Sequence, residues 1–153
     1  MKKSQFVYVT YIRTTPEKLW KALTDPKFVR QYFFGATQES DWKPGGSWRL
    51  KTPDGRVADS GKVIEIKPRR KLVLKWRHEL TSKLRAEGYS RMTCEIEKSG
   101  NSVKLTITHE MARSDSKFIE GVSEGWPPIL SSLKSLLETG ESLEETRNWP
   151  EEL

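Results

Sequence analysis

Between Gly125 and Gly140 the apolar residues Trp126, Ile129, Leu130, Leu133, Leu136 and Leu137 recur at three- and four-residue spacings. That spacing is one face of an α-helix. Ser123 is the expected N-cap, with Pro127 and Pro128 tolerable only in the first turn that follows it. Gly140 suits the left-handed residue after the last turn. Burying these side chains contributes roughly 10–15 kcal/mol as an upper bound, against a net domain stability of about 5–15 kcal/mol. The helix is expected to hold the domain together.

Upstream the period changes. Gln5 to Arg13 is rich in β-branched and aromatic residues and reads as a strand. Thr15-Pro16 opens a helix carrying Leu19, Trp20, Ala22 and Leu23, and Asp25-Pro26 opens a second short one with Phe28, Val29, Tyr32 and Phe33. Gly35 to Gly46 turns polar and ends in a turn. Strands then follow at Ser47–Lys51, Arg56–Ile66, Leu72–His78, Tyr89–Lys98 and Val103–Met111, with a bulge or bend expected at Gly61. Ala112 to Val122 reads as a loop with a helical turn at Phe118-Ile119, and Glu79 to Gly88 as a charged connection. The fold class is therefore α+β: a curved antiparallel sheet wrapped around a long C-terminal helix, with two short helices after the first strand. Residues 1–143 form one domain in this reading, and 144–153 a loosely held tail.

Composition narrows the options. Apolar runs are too short for a membrane span, and Met1 to Gln5 does not read as a signal peptide. The single cysteine, Cys94, fits a reducing cytoplasm and is expected to be an inert small hydrophobe. The net charge of +6 is spread over the strands, only Lys67–Lys71 clusters, and no nucleic-acid-binding motif accompanies it.

Five stretches carry a resemblance. They are Thr15 to Trp20 with Leu23 to Pro26, Asp41 to Trp48, Gly61 to Pro68, Leu105 to His109, and Gly125 to Gly140. In this order they resemble the START-like (SRPBCC) superfamily with its helix-grip fold, and within it the bacterial stand-alone homologues of the heat-shock-protein-90 ATPase activator. The resemblance implies a chamber between sheet and long helix that holds an apolar or amphipathic molecule, lipid-, flavonoid- or polyketide-like. It implies chaperone contact, and with it a part in stress responses, for other relatives. It does not imply a reaction.

Alternation places Leu74, Trp76, His78, Ser90, Met92, Ile107, His109 and Met111 on the concave face, with Trp48 nearby. If Ser99-Gly100 forms the hairpin turn, Ser90 pairs with His109, Met92 with Ile107, and Cys94 with Leu105. One polar row, His78–Ser90–His109, then borders two apolar rows, as an amphipathic ligand requires. Trp126, Ile129, Leu130 and Leu133 from the helix and Phe33 from the second short helix would close the pocket. Trp20, Phe33, Phe34, Trp42, Trp48, Trp76 and Trp126 either line this space or fill it, and a modest pocket is expected.

No metal site is expected, because imidazoles on alternate strands stand roughly 9–10 Å apart and no carboxylate completes the set. No cofactor is expected either. Glu65, Glu95, Glu97 and Glu110 fall on outward positions, so paired acids are missing from the concave face. A small-molecule-binding protein, monomeric or weakly dimeric, is the leading expectation. A chaperone-contacting module using Lys67–Lys71 is the second, and a cyclase or hydrolase depending on His78 or His109 the third.

Overall fold

The computed structural model describes residues 2–150. Its order is β1 (Ser4–Ile12), α1 (Pro16–Thr24), α2 (Pro26–Tyr32), β2 (Thr37–Ser40), β3 (Ser47–Lys51), β4 (Val57–Lys67), β5 (Lys71–His78), α3 (Ser82–Ala86), β6 (Ser90–Ser99), β7 (Ser102–Met111) and α4 (Lys117–Thr139). A 3-10 turn follows at Glu144–Thr146. The seven strands form one antiparallel sheet in the order β1-β7-β6-β5-β4-β3-β2. Its concave face is closed by α1, α2 and α4, and the core lies between them. This is the expected helix-grip architecture. Among the described residues no helix is long and apolar enough to cross a membrane.

Local chemistry explains the starts of the helices. Thr15 Oγ1 accepts from Lys18 N at 3.2 Å, and Asp25 Oδ1 from Lys27 N at 2.9 Å, each followed by proline at the first helical position. The long helix departs from expectation. It begins at Lys117, capped by Ser116 Oγ accepting from Ile119 N at 3.0 Å, so Ser123 is not its N-cap. Pro127 and Pro128 lie inside it. They remove the N–H groups that would bond the carbonyls of Ser123 and Glu124, an interruption the flanking turns bridge. Two extra turns are thereby added in front of the expected start, and Phe118 and Ile119 are buried in them.

Glu87, just before β6, fixes this early start. Its carboxylate accepts from Ser116 Oγ at 2.6 Å, Lys117 N at 2.9 Å and Phe118 N at 3.3 Å. Burial raises the Glu87 carboxyl, but these donors outweigh it and hold it below the usual carboxylate range. At the far end Gly140 takes φ 87, as expected for a left-handed stop.

Three further expectations are corrected. The β6–β7 turn is Gly100-Asn101, with φ 61 at Gly100, so Met92 faces His109 and Cys94 faces Ile107. Across β5, Trp76 faces Ser90 and Leu74 faces Met92. Both registers are two residues from those expected, which keeps every side chain on its face but moves it along the row. Bulges in β4 fall at Ile64, against β5, and at Ala58, against β3. Gly61 instead lies so close to β5 that a Cβ there would stand 1.6 Å from Lys75 O. Finally, the segment expected to hang loose packs back on α4: Ser132 Oγ receives Thr146 Oγ1 at 2.6 Å and Leu143 N at 2.9 Å, and Thr146 is buried. Residues 151–153 of that expected tail lie outside the described residues.

Candidate functional site

The centre of the expected chamber is filled. Trp48 and Trp76 lie 4.4 Å apart between ring centroids, Trp76 and Trp126 5.9 Å, and Phe33 and Trp126 5.9 Å. What remains between Leu74, Met92, Ile107 and Leu130 is a void of about 40 Å³. That volume suits about one water molecule and no ligand. Trp48 is fixed in this packing by its Nε1–H, which donates to Gln38 Oε1 at 2.8 Å. Cys94 sits on the same wall, its thiol pushed up to about 12 by burial, chiefly desolvation.

The open space lies toward one end. A cavity of about 350 Å³ opens between the front half of α4, the C-terminal end of β5, α3 and the chain around Trp149-Pro150. Of the residues placed on the chamber from the sequence, Phe33, Trp76, His78, Trp126 and Ile129 line it. Leu74, Met92, Ile107 and Leu130 border only the small void, while Trp48, His109 and Leu133 border neither. Ser90 and Met111 border a separate surface groove with Lys75 and Tyr89. The remainder of the wall comes from Phe34, one of the aromatics read as lining or filling the space, and from Asp59, Thr81, Leu84, Phe118, Gly121, Val122, Glu124 and Gly125, which the sequence pattern did not assign to it. Gly121 and Gly125, one helical turn apart, have open space where a Cβ would stand. The volume exists partly because these two residues lack side chains.

The two histidines part company. His109 is fully buried in a chain of single donors and acceptors. Trp126 Nε1–H donates to His109 Nδ1 at 3.1 Å, which fixes the imidazole proton on Nε2. His109 Nε2–H then donates to Ser90 Oγ at 2.7 Å, and Ser90 Oγ–H to Trp76 O at 3.0 Å. Desolvation lowers the His109 pKa from the ordinary 6.5 to about 3, so the ring is neutral. This chain ties α4 to the sheet and leaves no ring nitrogen of His109 free for a ligand.

A pH dependence follows. The unfolded chain binds a proton at His109 below about pH 6.5 and the folded one does not until about pH 3. Stability from this group is therefore present above pH 6.5 and lost as pH falls, by about 1.4 kcal/mol per pH unit. Urea unfolding of the native protein and of His109→Gln between pH 7 and pH 4 should show the two curves converging in acid. Parallel curves would count against the neutral assignment.

His78 does not face Ser90, as the expected polar row required. It pairs across the sheet with Asp59, and its Nδ1–H donates to Asp59 Oδ1 at 3.1 Å. The same oxygen receives Trp76 Nε1–H at 2.9 Å. His78 Nε2 stands 3.5 Å from Thr81 Oγ1. Phe118 stands against both imidazoles, 6.4 Å from His78 and 5.3 Å from His109 between centroids. A buried acid on the concave face was not expected. Alternation back from Val63 through Gly61 does place Asp59 inward, and that was the signal available. Among the described residues no group of three or more His, Cys, Asp or Glu side chains could hold a metal ion.

Comparison with known proteins agrees with this architecture. An HSP90 activator from Plasmodium falciparum is 26% identical with a TM-score of 0.70, over 87% of this chain and 95% of that one. The Aha1 dimer from Colwellia psychrerythraea is 18% identical with a TM-score of 0.71, over 91% and 99%. DynU16, from the dynemicin biosynthetic locus, is 19% identical with a TM-score of 0.75, over 95% of this chain but 51% of that one. No protein with a curated description matches the sequence. The family described as Activator of Hsp90 ATPase homolog 1-like protein matches residues 13–138, and the chain belongs to that family.

Proposed function

We propose that the chain binds a hydrophobic or amphipathic small molecule in the cavity between the front half of α4 and the His78 end of β5. The observation that supports this is the cavity of about 350 Å³, apolar over most of its wall and polar at Asp59 and His78. An empty dry void of that size would cost about 8 kcal/mol, so water or a ligand fills it. DynU16, described as a protein of a biosynthetic locus, is in keeping with a small-molecule ligand. Titration with lipids, flavonoids and polyketides should quench or shift tryptophan emission, because Trp76, Trp126 and Trp149 line the space. Native mass spectrometry of the protein as purified provides the independent check. If no compound changes emission or melting temperature and nothing copurifies, the reading fails.

Contact with a chaperone is the second reading, drawn from the family's description. The surface that favours it is not Lys67–Lys71, where Lys67 and Lys71 are both held by Glu65 at 3.4 Å. It is the outward row Val7, Val9 and Tyr11 on edge strand β1, each about half exposed. Loss of chaperone capture on Val9→Lys, with ligand titration unchanged, is the result this reading requires.

A further inference from the structure

We infer that the cavity selects a neutral or cationic ligand whose head donates a hydrogen bond, and discriminates against anionic heads. This rests on the cavity being a ligand site, and it specifies which chemistry that site accepts. The polar groups on the wall are Asp59, His78, Thr81 and Glu124, and no lysine or arginine lines it among the described residues. Two of the four are carboxylates. Asp59 Oδ1 is occupied by Trp76 Nε1–H and His78 Nδ1–H, while Oδ2 takes no donor among the described residues. His78 is engaged at both ring nitrogens, Nδ1 by Asp59 Oδ1 at 3.1 Å and Nε2 by Thr81 Oγ1 at 3.5 Å.

The cations of α3 do not line the cavity. Arg85 on α3 is engaged by Glu79 at 3.3 Å, and Lys83 is exposed. A carboxylate or phosphate entering this space would meet the carboxylates of Asp59 and Glu124, with no cationic side chain on the wall to offset its lost water. A hydroxyl or ammonium would meet a free acceptor, Asp59 Oδ2, above aromatic walls that also favour a cation. Fatty-acid anions are the wrong class for this wall. Phenols, sterol-like alcohols and amines are the right one.

A matched panel tests this: naphthalene, methoxynaphthalene, naphthol, naphthylmethylamine and naphthoate, all substituted at one ring position and titrated calorimetrically. Naphthol and naphthylmethylamine should bind about tenfold tighter than methoxynaphthalene, and naphthoate about tenfold weaker than naphthalene. The indole Nε1–H resonance of Trp76, bonded to Asp59, should move with the donor ligands more than with naphthalene. Asp59→Asn keeps the shape and an acceptor for Trp76, and should reduce both preferences. If it does not fold, Glu124→Gln on the exposed wall should weaken naphthylmethylamine alone. Naphthoate binding as tightly as naphthol would overturn the inference and leave the binding site standing. Binding of none of the five would overturn both.

Discussion

Trp126→Ala is expected to lower the unfolding free energy by about 3–5 kcal/mol, the largest stability change for any single replacement on the cavity wall. The indole is almost wholly buried, edge-on to both Phe33 and Trp76 at 5.9 Å between centroids, and it donates to His109 Nδ1. Alanine removes the packing and leaves a buried imidazole acceptor without a donor. Trp126→Phe separates the two contributions. It keeps an aromatic ring but orphans His109, which should cost about 1–3 kcal/mol. Urea unfolding at pH 7 measures both. A loss below about 1 kcal/mol for the alanine variant would show that α4 is held to the sheet by other residues.

Filling the cavity from the helix should have the opposite pattern. Gly125→Leu is expected to leave the melting temperature unchanged or raise it, while ligand affinity falls by more than tenfold. Gly125 has no φ in the left-handed region, and a Cβ there would meet nothing within 4 Å. A side chain is therefore compatible with the helix, and replacing an interior glycine contributes about 0.5–1 kcal/mol. The new side chain occupies the space a ligand needs. The variant should be compared with Leu133→Ala, whose parent residue is buried and borders no open space. Loss of stability without a specific loss of binding is the expectation for that control. If Gly125→Leu binds as well as the native protein, the ligand lies elsewhere.

The strands and the rear half of α4 were readable because their burial follows a period. Val103 to Met111 alternates without a break, and Ile129, Leu130, Leu133 and Leu136 fall on one helical face. The front half of α4 was not readable. Gly121, Gly125, Pro127 and Pro128 are each disfavoured inside a helix, and only the Glu87 cap and the burial of Phe118 and Ile119 make a helix of them. Local rules fail where the wall of the cavity is built. The hairpin turn shows a different limit. Ser99-Gly100 and Gly100-Asn101 are adjacent turn candidates, and choosing between them moves the register by two without changing either face. β2, Thr37–Ser40, is too short and polar to show a pattern. The position of the cavity follows from how the indoles of Trp48, Trp76 and Trp126 stack, and periodicity carries no information about that.

The front half of α4 is fastened at both ends, by Glu87 at its first turn and by the Trp126–His109 bond further along. A helix anchored twice cannot swing aside as a flap. Passage for a guest must instead run past α3, none of whose residues is buried, and past Trp149-Pro150 on the opposite rim. The rate at which a guest exchanged would then be set by that doorway, and not by any movement of the helix.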